Sequence, residues 1–544
     1  MRAPAAQLRF LRQRDLTPSW PARGRRDGSA LDAGGRPRFA SMWVVIACCL
    51  AVSAVTLLLP STPTYDPWAW ILWGREIVHL DLTTTGGPSW KPLPMLFTVP
   101  FSLFGQDVAP YLWLWVARAG ALLSCAVAYR LARRLVGGGY GVVAGIAAFL
   151  ALFSAFKFVR DGALGNSEAM LAAFALWAFE RHLDGRRDHA LYLGVAAALL
   201  RPEAWPFLGL YGLWLSFREP ELRARMVGFA VLIPALWFLP EWWGSGDPFR
   251  ASTRAAHPNP GSPAFAEHPA LELVTRLRKA VIAPVKVGFV VAVVYAGVQW
   301  FRNRREKETL WLLGGGIAWF GVVALMTQGG YAGNYRYLIV TTAVLAVLGG
   351  VGSARVLQGL GVLGERLIKR PWAGPVAAGT ACVLAVAISA PFISEKANNT
   401  KRVLGGLRHE ATIYADLKGL VKRSGGRQPL LACGGIFSGP FQTQMVAWEL
   451  HIHGIQVGWK TTPGPGVAFR TRTVPNGPLV VLPTDDRFRQ VVHYKKFRLL
   501  TAPPTGQRPG PQSCPVASPY SPHAPLVRNT PGLHPGGPGS PRAE

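Results

Sequence analysis

The side chains able to do chemistry in this chain are the few charged ones that interrupt its apolar stretches. Asp66, in "TYDPWAWILWGREI", lies a few residues beyond an apolar run, and its carboxylate could take a proton from an attacking hydroxyl. Lys91 sits between Trp90 and Pro92 in "GGPSWKPLPMLF" and could hold a phosphate or snorkel to the membrane interface. In "KFVRDGALGNSEAM" stand Arg160, Asp161 and Glu168; Glu168 either closes a capping box with Asn166 or faces the same space as Asp66. "LLRPEAWPF" sets Arg201 and Glu203 two residues apart, as an ion pair or as a phosphate ligand beside a group for sugar hydroxyls. "TQGGYAGNYRYLIV" offers Gly-rich backbone N–H groups with Asn334, Arg336 and Tyr337 at a helix start, an arrangement suited to an anion or to an aromatic interfacial anchor. Carboxylates and cations together suit a phosphate-bearing ligand that carries something polar.

Asp66 has a second reading. It precedes Pro67, which biases it away from helical geometry, so it could simply cap a helix "PWAWILWGREIVHL". That helix is expected to lie flat on the membrane, with Trp68, Ile71, Leu72 and Trp73 in the interface and Arg75, Glu76 and Asp81 in water.

The elements that must position these groups are apolar. Half of the 544 residues are hydrophobic, only 16% are charged, and 20 are Trp, which points to a polytopic membrane protein. The formal charge of +29 would suggest nucleic acid in a soluble chain. Here Arg and Lys gather in short loops and at the N-terminus, so the charge reads as a topology signal and nucleic acid is not an expected partner. "MWVVIACCLAVSAVTLLLP" is long enough to cross about 30 Å of hydrocarbon as a retained first helix. Further apolar stretches bring the expectation to about 11 spans, mainly α, with 190–200 and 204–217 a short pair turning at "RPEAW". Basic loops at 129–134, 180–187, 217–225, 301–307 and 365–370 are expected to be cytoplasmic. The loops 61–107, 158–166, 201–203, 242–280 and 328–336 are then external, and they or the helix ends beside them carry the candidate site residues.

Four segments follow: 1–41, a basic cytoplasmic N-terminal segment expected to be disordered; 42–391, the transmembrane module; 392–501, a small extracytoplasmic α/β domain; and 502–544, a Pro/Gly-rich tail expected to be disordered. In the α/β domain, "EATIYADLKGLVKRS" is expected as a helix, and "QPLLACGG", "HGIQVGW" and "GPLVVLP" as strands. The six Cys show no CxxC; Cys433 and Cys514 could pair outside the membrane, which sequence alone does not decide.

"YDPWAWILWGREI…GPSWKPLP", "LGNSEA", "RPEAWP" and "GNYRYL" together resemble the GT-C superfamily of polytopic glycosyltransferases, in particular actinobacterial-type members. The resemblance covers roughly 42–391. It implies an enzyme that moves a hexose or pentose from a polyprenyl-phosphate sugar to a glycan, lipid or protein acceptor of the cell envelope, at the external face of the plasma membrane; mannosyl transfer is one such activity. It implies catalytic Asp66 as general base with Glu168, and substrate binding by Lys91, Arg160, Arg201, Glu203, Asn334, Arg336 and Tyr337. "KPLP" is similar to a "KPP"-like element of related enzymes. Pro67 replaces the second acid of a paired carboxylate motif, so no cofactor is firmly implied, although a divalent metal is possible. The external domain is then expected to recognise acceptor, and 242–280 to close over donor. A lipid-linked-substrate flippase, or a non-catalytic envelope-assembly protein, are the alternatives.

Overall fold

The computed structural model describes residues 41–259, 261–483 and 485–517. The N-terminal basic segment up to residue 40 and the tail from 518 therefore lie outside the described residues.

The apolar stretches form helices in chain order: α1 (Met42–Thr56), α2 (Tyr65–Val78), α3 (Pro92–Ser102), α4 (Ala109–Val136), α5 (Gly138–Phe153), α6 (Phe156–Ala163), α7 (Glu168–Leu183), α8 (Arg187–Ala198) and α9 (Trp205–Arg218). They continue as α10 (Arg223–Ser245), α11 (Arg250–Ala255), α12 (Pro269–Ala280), α13 (Ala283–Asn303), α14 (Lys307–Gln328), α15 (Ile339–Ile368) and α16 (Ala373–Arg423). Six spans among the described residues are long and apolar enough to cross a membrane: α4, Pro220–Ser245, α13, α14, Tyr335–Ile368 and Ala373–Glu395. α5 and α6 would add one more as a pair bent by 67°. The other expected spans are shorter helices, α1, α7, α8 and α9, of 12 to 16 residues. The chain is thus a mainly α, multi-pass membrane protein with fewer full-length spans than its hydropathy suggests.

α15 is the axis of the bundle and the most buried of the six spans, packed by α4, α5, α13, α14 and α16. Small residues permit that closeness: a Cβ on Gly352 would stand 1.7 Å from the Gly288 carbonyl oxygen of α13. The basic loops gather at one end of the bundle and interlock there. Arg130 meets Glu180 at 3.0 Å, Arg355 meets Glu306 at 2.7 Å, and Arg134–Asp184 and Arg187–Glu219 pair as well.

The opposite end carries the connections that hold the candidate site. There α2 is not the surface-lying helix expected from its amphipathic pattern. Trp68 to Gly74 and Glu76 are all buried, because α3 covers one side and the C-terminal region the other. A Cβ on Gly74 would lie 2.6 Å from the Thr98 carbonyl, so glycine is what lets α2 cross α3. On the far side, Trp68 packs at 4.7 Å from Tyr414, and Arg75 donates to the Trp448 carbonyl oxygen at 2.9 Å while stacking over its ring.

α16 runs for 51 residues, from the apolar half into the charged half, without interruption at 391. Beyond it come α17 (Arg427–Leu431), β1 (Gly435–Ser438), α18 (Thr443–Leu450), β2 (Val457–Gly458), β3 (Gly466–Arg472), β4 (Leu479–Val480), β5 (Arg489–Tyr494) and β6 (Phe497–Ala502). The sheet order is β2-β1-β3-β6-β5, with β1 parallel to β2 and β3, and β6 antiparallel to β3 and β5; β4 pairs with β3. The expected strand in "QPLLACGG" is instead α17 and a turn, and the central strand β3 was not expected, being hidden between "PGPG" and "VPNG". Phe437, Ala468, Val481, Phe488, Leu500 and Ala502 form its core. The first part of the segment expected as tail, up to residue 517, is tied to the domain: Cys514 is bonded to Cys433, with Cα atoms 4.7 Å apart, and Thr501 donates to the Pro515 carbonyl oxygen.

Candidate active site

The connections at this end enclose a cavity of about 2870 Å³, roofed by the C-terminal region. Nine Lys or Arg side chains line it against five Asp or Glu, so its field favours an anion.

Asp66 stands in the first turn of α2, whose N-cap is Thr64, so Asp66 is not the cap; no side-chain capping bond forms there. An acid in a first turn is favoured by the helix dipole, and Pro67 is tolerated because its missing N–H would be unsatisfied anyway. Asp66 Oδ2 accepts from Arg336 Nη1 at 2.6 Å, while Oδ1 takes no hydrogen bond among the described residues. The same Nη1 donates to Asn166 Oδ1 at 2.9 Å. The two charged side chains keep 16% and 28% of their surface exposed, so both meet the cavity. The Tyr335–Leu338 turn that opens α15 presents Arg336 here.

Lys91 does not snorkel. It is buried, and its Nζ donates to Glu168 Oε1 at 2.8 Å and Ser167 Oγ at 3.0 Å, beneath the Trp70 ring. Burial, opposed by Glu168, pulls its ammonium below the ordinary lysine value. Arg201 Nη2 reaches the same Glu168 oxygen at 2.8 Å, Nη1 reaches Glu203 Oε1 at 2.8 Å, and the guanidinium lies 4.0 Å from the Tyr337 ring centroid. Burial opposes the Arg201 charge, but Glu203 and Glu168 outweigh it and hold the group protonated above its usual range. Glu168 opens α7 behind N-cap Ser167, so the expected capping box with Asn166 does not form. Nor does Glu168 line the cavity: it is 0% exposed and serves as the shared counter-ion of Lys91 and Arg201.

The other expected residues share the cavity wall. Glu203, Asn334 and Tyr337 line the cavity with Asp66, and so does Arg160, whose charge is tied to Glu410 of α16 at 3.0 Å. The 242–280 connection is no loose loop, since it contains α11 and α12. Two acids fall outside the expected set: Asp161, visible in the sequence beside Arg160 but given no role there, and Glu241, not singled out at all. Asp161 lines the cavity, buried beside Arg336 and Arg160. Glu241, at the end of α10, binds Arg250 of α11; a lone acid closing an apolar run was the available signal. No group of three or more His, Cys, Asp or Glu among the described residues could hold a metal ion, and Glu168 and Glu203 already have basic partners.

No family model and no curated protein matches the chain. Among solved structures, ArnT from Cupriavidus metallidurans bound to undecaprenyl phosphate is similar with a TM-score of 0.50 and 16% identity, over 87% of this chain and 100% of that one. Its apo form gives 0.51 and 15%, over 86% and 99%. The chain has the GT-C fold. The Archaeoglobus fulgidus oligosaccharyltransferase tethered with an acceptor peptide gives 0.43 at 12% identity, over 78% of this chain and 65% of that one. Within this GT-C fold, Asp66, Lys91, Asn166, Arg201 and Arg336 converge from four separate connections on one end of the bundle.

Proposed function

We propose that the protein is a membrane glycosyltransferase that moves a sugar from a polyprenyl-phosphate donor to an acceptor hydroxyl at the external face, with the N-terminus cytoplasmic. The observation that carries this reading is the Asp66–Arg336 pair, open to a basic cavity at the end of an apolar bundle. The GT-C fold, shared with a protein solved bound to undecaprenyl phosphate, supports the donor class. The Cys433–Cys514 disulfide supports an oxidising, extracytoplasmic setting for the C-terminal region, since such bonds persist outside the reducing cytosol.

In the proposed step, Asp66 Oδ1 accepts the proton of the acceptor hydroxyl as its oxygen attacks the anomeric carbon. The bond from that carbon to the phosphate oxygen breaks, and the lipid phosphate leaves with one more negative charge. Protonation neutralises Asp66 and loosens its hold on Arg336. The guanidinium, whose Nη2 and Nε donate no hydrogen bond among the described residues, then turns its charge on the departing phosphate. Lys91 and Arg201 add to the field from behind, fixed by Glu168. Glu203, Asn334 and Tyr337, which line the cavity, are the groups proposed to meet sugar hydroxyls.

The test is thermal unfolding of the purified protein with undecaprenyl phosphate and with a panel of polyprenyl-phosphate sugars. A rise in Tm that is lost in Arg336→Gln supports the assignment. No rise with any lipid phosphate, or an equal rise in the variant, overturns it.

A further inference from the structure

The segment immediately before Lys91 is fastened to α10 and α11 through one buried carboxylate. Glu241 is 0% exposed, one turn from the end of α10. It accepts from four donors: Arg250 Nε at 2.7 Å, Arg250 Nη2 at 2.8 Å, Thr84 Oγ1 at 2.9 Å and the Trp90 backbone N–H at 3.3 Å. Arg250 Nη2 also donates to the Pro88 carbonyl oxygen at 2.9 Å. Around this fork, the Trp90 indole donates to the Leu236 carbonyl oxygen at 3.0 Å, Ser89 Oγ to that of Ala251 at 3.0 Å, and Thr84 N–H to that of Gly244 at 2.9 Å. Two residues after Lys91, the Leu93 N–H donates to the Leu199 carbonyl oxygen at 3.1 Å. Lys91 is therefore clamped on both sides, by α10 upstream and by the end of α8 downstream.

We propose that Glu241 and Arg250 are positioning residues for Lys91: the Glu241–Arg250 fork fixes residues 84–90 so that the ammonium is delivered to Glu168 and the cavity. A purely stabilising role is a poor account of the fork, because a well-packed apolar pair would serve stability as well as a buried ion pair does. What the charged fork adds is direction: bidentate geometry and two further donors from one loop fix that loop's register. Arg250 also begins α11, whose Ser252, Arg254 and Ala255 line the cavity, so the same fork ties the cavity wall to Lys91.

This inference rests on the transferase reading only for its kinetic consequence, so the test has two arms. In the first, the full chain in detergent is treated with a small amine-acylating reagent, and modification at Lys91 is measured by mass spectrometry against Lys460. In Arg250→Ala, Lys91 labelling rises by about tenfold or more, because labelling follows local opening. Arg250→Lys, which keeps a cation, recovers part of the protection, and Thr84→Val, which removes a single donor, gives a smaller rise. Should Arg250→Ala fail to fold, the Thr84→Val and Arg250→Lys values decide. Unchanged Lys91 labelling in the folded variants, or an equal rise at Lys460, overturns the proposal. In the second arm, transfer kinetics of Arg250→Lys show kcat falling by up to about a hundredfold, as misplacement of a charged group does, with acceptor KM unchanged. A changed acceptor KM with unaltered kcat contradicts positioning. If wild type transfers no sugar while Lys91 labelling still rises, the transferase reading fails and the positioning stands.

Discussion

Asp66→Asn is the sharpest perturbation of the proposed chemistry. The amide has the shape of the carboxylate, and its oxygen can still accept from Arg336, which also keeps Asn166 as a partner at 2.9 Å. What it cannot do is take a proton. General-base catalysis contributes about 10²–10⁴-fold, so the transfer rate should fall by that factor, equivalent to about 3–5 kcal/mol of barrier. The structural cost is smaller. Arg336 and Asp66 retain 28% and 16% exposure, which puts the pair between a surface and a buried ion pair. Its loss should then cost about 1–2 kcal/mol of stability. The assay is the initial rate of label transfer from a radiolabelled polyprenyl-phosphate sugar at saturating donor, normalised to folded protein by thermal unfolding. A rate within about threefold of wild type, with Tm near normal, would refute the base assignment, since no catalytic proton acceptor is that dispensable. An inactive variant whose Tm collapses would instead assign Asp66 a structural role.

Glu168→Gln should destabilise the protein by about 3–5 kcal/mol, because Lys91 and Arg201 lose a shared buried counter-ion, and scanning calorimetry would show it. An unchanged Tm would mean that the two cations are not held by that charge. Gly74→Val forces a side chain against the Thr98 backbone, 2.6 Å from the ideal Cβ, and should cost about 1–3 kcal/mol by overpacking, read as a lowered Tm. Cys433→Ser should cost about 2–5 kcal/mol in the C-terminal region and speed its limited proteolysis, with reductant reproducing the effect on the wild type.

The sequence made the membrane class and the candidate site legible for one physical reason: a charge inside an apolar stretch is conspicuous. Asp66, Lys91, Arg201 and Arg336 all stood out on that ground, and the folded chain brings them together. Their partners were not legible, because pairing depends on which connections meet. Lys91 and Glu168 are 77 residues apart, and Asp66 and Arg336 are 270 apart. α2 misled for a related reason. Its amphipathic pattern reported polar groups on one side, but Arg75 and Glu76 face the C-terminal region, with Glu76 joined to His453 at 2.9 Å, and not bulk water. The two-residue strands β2 and β4 fall inside stretches expected as strands, whereas the seven-residue β3 escaped, because it is buried on both faces and shows no alternation.

The unbroken course of α16 makes it a ruler. At about 1.5 Å per residue its 51 residues extend for roughly 75 Å. Every residue along it is indexed to the membrane by a rotation of about 100°. Glu410 meets Arg160, and Tyr414 meets Trp68, only because the count from the bilayer is right. One inserted residue would swing both contacts out of register, whereas a two-turn insertion of seven would restore their facing and raise the cavity roof by about 10 Å. The headroom above Asp66, and with it the bulk of what can be accommodated there, is written in the length of a single helix.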